Sequence, residues 1–114
     1  MYIIVYITCG DKEEAEKIGC AIVEERLAAC VNYFPINSIY RWKGKVEKGQ
    51  EYVLVCKTTG EKFTKLKKKV KQLHSYELPV IVFWKIRAEK EVLDWIKDST
   101  GTDSDGLEER IQTD

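Results

Sequence analysis

Residues 2–8 read Tyr-Ile-Ile-Val-Tyr-Ile-Thr, β-branched and aromatic without a polar gap. Side chains of this kind are stiff at χ1 and pack well on a pleated surface, so the segment is expected to form a strand. Apolar residues stand at odd and even positions alike, which demands a central strand covered on both faces, by its own chain or by neighbouring ones. Everything downstream in the 114 residues has to supply that cover.

The next segment opens with Asp11 and Glu14, a capping-box pattern with Asp in the usual Ser or Thr position. Ala15, Ile18, Ile22 and Leu27 then recur at helical spacing, predicting a helix that runs through Glu25 and Arg26. Cys30 to Phe34 is strand-like, and Pro35, which has no ladder donor, marks a bulge or an edge. Ser38 to Val46 resumes an extended pattern, Lys48-Gly49 reads as the turn, and Glu51 to Thr58 forms the return strand of a long hairpin. Phe63, Leu66, Val70 and Leu73 predict a second helix, with Thr59 as its cap and six lysines between Lys62 and Lys71 on its solvated surface. Leu78 to Ile86 reads as a fourth strand opening at Pro79, and Glu89 to Asp98 as a short last helix. From Ser99 the chain turns polar, so residues 1–98 are expected to form one domain and 99–114 an acidic tail.

The order is β-α-β-β-α-β plus a helix, an α+β, ferredoxin-like arrangement with a four-stranded sheet and helices on one face. That unit leaves the other sheet face and the hairpin bare. Tyr33, Phe34, Tyr40, Trp42 and Tyr52 are many aromatics to leave in water, so self-association is expected.

Charge narrows the function classes. Residues 1–98 hold 18 Lys and Arg against 14 Asp and Glu, and the last sixteen hold 1 against 5. An excess of four over the domain is too small for a nucleic-acid stripe. No apolar run approaches the roughly 20 residues needed to span a bilayer. The opening residues carry no basic, leader-like pattern, so the cytoplasm is the expected compartment. Cys9, Cys20, Cys30 and Cys56 form no C-x-x-C pair, and Cys20, Cys30 and Cys56 read as packing residues.

Four strings carry a family likeness: Glu24 to Asn32 (EERLAACVN), Ser38 to Lys45 (SIYRWKGK), Lys57-Thr58-Thr59, and His74 to Pro79 (HSYELP). In this order and spacing, over roughly residues 2–98, they resemble the CutA divalent-cation-tolerance proteins. The resemblance implies a ferredoxin-like protomer in a tight homotrimer, with hairpins pairing to neighbouring subunits. It also implies a likeness to PII-type trimers, which take small ligands or protein partners in clefts between subunits. Some members resemble copper binders that use a strand-one Cys and a His-His pair. Here His74 matches the second histidine, Leu73 replaces the first, and the ligand Cys falls at Ile7 with Cys9 two residues on. Two residues along a strand keep the same face, so Cys9 is the candidate substitute. Ser75 and Val80 also depart from the family pattern, which has Pro and Glu there.

The candidate metal ligands are therefore His74 and Cys9, an imidazole and a soft thiolate suited to copper or zinc. A histidine at the last turn of a helix is also explained by the helix dipole alone. The candidate ligand-binding residues are Tyr40, Trp42, Lys57, Tyr76 and Glu77, stacking surfaces beside charges. Interface burial alone explains Trp42 and is the preferred reading for it. No nucleophile elbow or phosphate-binding glycine loop occurs, and a single His without a fixed partner argues against an enzyme. Three functions stay open: a metal-binding trimer, a PII-like ligand-binding module, and a structural scaffold.

Overall fold

The computed structural model describes residues 1–101. Four strands and three helices follow one another along the chain: β1 (Tyr2–Cys9), α1 (Lys12–Glu24), β2 (Cys30–Trp42), β3 (Lys45–Thr59), α2 (Phe63–Leu73), β4 (Ile81–Lys85) and α3 (Lys90–Thr100). The strands form one antiparallel sheet in the order β2-β3-β1-β4. The ferredoxin-like expectation holds, with β1 central as its composition requires. Ile3, Val5, Ile7 and Cys9 point to one face and are fully buried. They meet Ala15, Ile18 and Ile22 of α1 and Leu66 and Val70 of α2 in the main core.

α1 begins where the sequence indicates. Asp11 is extended, and its side chain accepts from the Glu14 N–H at 2.8 Å. The return arm differs from a reciprocal box, because Glu14 Oε1 accepts from Gly10 N–H at 3.0 Å. The helix ends two residues earlier than its apolar stripe suggests. Arg26 takes a left-handed φ of 60°, and the N–H groups of Arg26 and Leu27 return to the carbonyls of Val23 and Ile22. This closes a Schellman-type end without the usual glycine and turns Leu27 into the core. Gly19 lets α1 lie close on the sheet, since a Cβ there would stand 3.3 Å from Leu54 and 3.4 Å from Val31. Before α2, residues Gly60–Lys62 form a single 3-10 turn, and the Thr59 side chain makes none of the capping bonds expected of it.

The third helix departs from the one-face expectation. α3 packs against β3, and Ile96 and Val53 are fully buried outside the core beneath α1 and α2. Val53 points away from its neighbour Leu54, which belongs to that core, so α3 covers part of the opposite face. α3 runs to Thr100, whose hydroxyl donates to the Ile96 carbonyl at 2.8 Å. The remainder of the expected tail, residues 102–114, lies outside the described residues. β4 is shorter than expected, beginning at Ile81 instead of Leu78. No helix among the described residues is long and apolar enough to cross a membrane.

The hairpin turn is at Lys43-Gly44, not at Lys48-Gly49. Both residues have positive φ, 49° and 80°, as a tight two-residue hairpin loop demands. Gly49 stands inside β3, paired with Ser38. The hairpin is therefore longer and more regular than its glycines suggested. Pro35 pairs without a bulge and sits on an edge strand, which tolerates its missing donor. Pairing of β1 with β3 stops at Cys9 and Tyr52. From there the β2–β3 ribbon, Ile36↔Glu51 to Trp42↔Lys45, runs on alone for roughly 20 Å.

The two glycines separate the turn assignments. Gly44→Ala is expected to cost roughly 1–2 kcal/mol, the penalty of a side chain in left-handed backbone. Gly49→Ala is expected to cost nothing, because its Cβ would meet no atom within 4 Å. Urea denaturation midpoints of the two variants check this, and equal midpoints would contradict the turn described.

Candidate functional site

Three chain segments converge at one end of the sheet. The inward alternation of β1 delivers Cys9, fully buried, at its last position. The Asp11 cap fixes the first turn of α1 and so aims Glu14. α2 ends at His74, whose extended backbone (φ −82°, ψ 140°) turns the chain back and whose side chain is 0% exposed. The Cys9 sulfur, a Glu14 carboxylate oxygen and a His74 ring nitrogen all lie within 4.8 Å of one another.

The hydrogen bonds define the tautomer of His74. Nε2 lies 2.6 Å from the Thr8 carbonyl oxygen, which only accepts, so Nε2 carries the proton. Nδ1 accepts from the Tyr76 N–H at 3.1 Å and stands 3.9 Å from Glu14 Oε1. The ring is thus the neutral form, its single lone pair on Nδ1 engaged by the Tyr76 amide beside the carboxylate. Metal-binding histidines characteristically donate their second nitrogen to a backbone carbonyl or carboxylate, and Thr8 supplies that carbonyl here.

Glu14 is the hub. Its carboxylate accepts from Gly10 N–H through one oxygen and from Ser75 N–H, at 2.8 Å, through the other. Burial pushes its pKa up, but the hydrogen bonds from Gly10 and Ser75 outweigh burial and hold it below the ordinary glutamate value. The Cys9 thiol is pushed up to about 12, by burial first and then by Glu14, Glu51 and Asp11. The acidic neighbours, the lesser part of that shift, also favour a cation in place of the proton. A thiol, a carboxylate and an imidazole lone pair offer three donors of the types zinc and copper take.

Next to this cluster, the loop after α2 and the free ribbon enclose a groove of about 900 Å³, lined by Tyr40, Trp42, Tyr76 and Glu77 together with Glu51. The Tyr76 hydroxyl donates to Glu51 Oε2 at 2.7 Å. Burial and then Glu51 push the Tyr76 phenol above its ordinary value. Lys43, at the ribbon tip, reaches Glu77 at 3.5 Å and lies 5.6 Å from the Trp42 ring centre.

Four of the five expected ligand-binding residues therefore meet. Lys57 does not, since it lies near the far end of the hairpin and donates to Asn32 Oδ1 at 2.9 Å and to Cys30 Sγ at 3.6 Å. His74 and Cys9 do come together. Glu14 and Glu51 were missed because the sequence offers Glu14 only as a capping residue and Glu51 only as a strand position. Leu73, in place of a second histidine, packs against the core. Of the cysteines read as packing residues, Cys56 is buried and Cys30 partly so, but Cys20 is exposed on α1.

Residues 3–99 match the family model described as CutA1 divalent ion tolerance protein. The chain belongs to the CutA family. The divalent-cation tolerance protein CutA of Thermus thermophilus is 50% identical over 100 residues, 86% of this chain and 97% of that protein. The CutA of Archaeoglobus fulgidus is 45% identical over 100 residues, 87% of this chain and 98% of its own. Their solved structures superpose with TM-scores of 0.86 and 0.87, each covering 89% of this chain and all of the other. The Archaeoglobus CutA structure is described as that of a periplasmic divalent cation tolerance protein.

The depressed Glu14 carboxyl makes a signed prediction for the metal-free protein. A group whose folded pKa is lowered stabilises fully above its unfolded pKa and loses that contribution as pH falls through the folded one. Glu14→Gln is therefore expected to lower stability at pH 7 by about 1.5–3 kcal/mol, the usual worth of hydrogen bonds to a charged group. That difference should shrink toward zero once pH falls below the ordinary glutamate range. Denaturation midpoints across pH 3–7 measure it, and a loss independent of pH would assign Glu14 a packing role only.

Proposed function

We propose that this chain acts in divalent-cation tolerance, as its CutA relatives are named, and does so as a metal-binding homotrimer. The family match over residues 3–99 carries the tolerance reading. Metal binding is supported by the three donors at Cys9, Glu14 and His74. The donor set suits Zn(II) or copper better than magnesium or calcium, which prefer oxygen alone. The only histidine has both ring nitrogens engaged in hydrogen bonds, which leaves neither free for acid-base catalysis.

The trimer reading rests on unpaired backbone and exposed apolar surface. A two-stranded ribbon in water is marginal without cover. This one exposes Ile39 at 71% and Val46 at 59%, and both β2 and β4 present free edges. Val82 and Trp84 on β4 are also exposed. Pairing of unlike edges between copies satisfies both edges and covers the ribbon, and it closes into a three-membered ring where each copy is rotated a third of a turn from the last. A cytoplasmic setting is supported by four free thiols, which a reducing compartment preserves. The groove beside Tyr40, Trp42 and Tyr76 favours a second reading, a PII-like site for a small ligand or a protein partner, in which Lys57 takes no part.

Native mass spectrometry of the tag-free protein with Zn(II), Cu(II) and Cu(I) tests both parts. The expected result is a trimer with one ion per chain, the ion lost in Cys9→Ser while the trimer persists. Trp42→Asp is expected to shift the protein toward monomer. A trimer that takes up no ion would remove the metal reading, and an undisturbed trimer in Trp42→Asp would move the interface elsewhere.

A further inference from the structure

The hydrogen bond from Tyr76 N–H to His74 Nδ1 occupies the one lone pair that a metal ion would need. A neutral imidazole has a single in-plane acceptor, which serves one hydrogen bond or one metal bond. The second ring nitrogen is no substitute, because its proton is held against the Thr8 carbonyl oxygen at 2.6 Å. Building on the metal reading above, we propose that an ion and the Tyr76 amide compete for His74 Nδ1, so that metal occupancy releases the Tyr76-Glu77 segment from the groove.

The other ligand contacts survive that exchange. A carboxylate has about four acceptor positions, so Glu14 keeps the amides of Gly10 and Ser75 while turning a free lone pair to the ion. The cost falls on Tyr76 alone. That residue also fixes the groove wall, since its hydroxyl holds Glu51 at 2.7 Å and the next residue, Glu77, pairs with Lys43 at the ribbon tip. Three consecutive bonds, His74 to Tyr76, Tyr76 to Glu51 and Glu77 to Lys43, thus join the buried cluster to the wall of the groove. An ion that breaks the first loosens the segment bearing the other two. The element has two arrangements, amide-bound and metal-bound, and the ion favours only one, which is the requirement for a metal to change a distant surface. By the same linkage, whatever weakens the hold of the segment on the groove strengthens metal binding, because less stability is given up when the amide is displaced.

The test uses the intact chain with Zn(II), binding being read by native mass and amide hydrogen exchange by NMR. With one zinc bound per chain, exchange at the Tyr76 amide is expected to rise by roughly tenfold or more, while Gly10 and Ser75 stay unchanged. Zinc bound with Tyr76 still protected overturns the competition and leaves the metal reading standing. No zinc bound overturns both. A second arm uses Tyr76→Phe, which keeps the amide but loses the hydroxyl bond to Glu51. Its zinc affinity is expected to rise by roughly fivefold. Equal or weaker affinity in that folded variant overturns the proposal even if the amide result is positive.

Discussion

The closure of β1 on both edges and on the face beneath α1 and α2 is the constraint on which the rest of the structure depends, its other face staying largely half-buried. β3 pairs with it on one side and β4 on the other. α1 and α2 cover the face bearing Ile3, Val5, Ile7 and Cys9. Removing this strand from water accounts for the position of every element that contacts it, and it also fixes the place of Cys9. An alternating strand that ends at a buried position delivers its last side chain into the core without further machinery.

Beyond that point the strand can no longer organise its neighbours, and polar groups take over. Where β1 stops, α1 starts and α2 stops, three segments present backbone amides that no ladder satisfies. Glu14 collects two of them, and the His74 ring takes a third while donating to the Thr8 carbonyl. One set of contacts therefore performs two tasks. It completes the hydrogen bonding at a junction of elements, and it gathers a thiol, a carboxylate and an imidazole into a negatively biased cluster. Capping and the proposed cation affinity rest on the same charges.

The ribbon expresses the opposite situation. Its ladder is complete within the hairpin, yet it extends past β1 with apolar side chains in water and no second layer. α3 lies on the otherwise open face against β3, but the ribbon and β4 keep their exposed residues. The proposed assembly with other copies rests on this imbalance between backbone satisfaction, which is local, and apolar burial, which is not. The groove lies between these two regimes, with one wall from the loop that follows the polar junction and the other from the ribbon.

The sequence by itself determined the number, kind and order of the elements, because apolar periodicity and the Asp11 cap are local properties. The resemblance in residues 24–32, 38–45, 57–59 and 74–79 also identified the family and paired His74 with Cys9. Turn placement was less legible. Lys48-Gly49 and Lys43-Gly44 look alike in sequence, and only the full ladder decides which pair carries positive φ. The end of α1 at Arg26 was hidden because no glycine marks its left-handed residue. Tertiary structure alone decided that α3 covers the face opposite α1 and α2, that Lys57 stands apart from the groove, and that Glu14 joins Cys9 and His74. Each of these depends on distances between residues far apart in the chain, which no periodicity encodes.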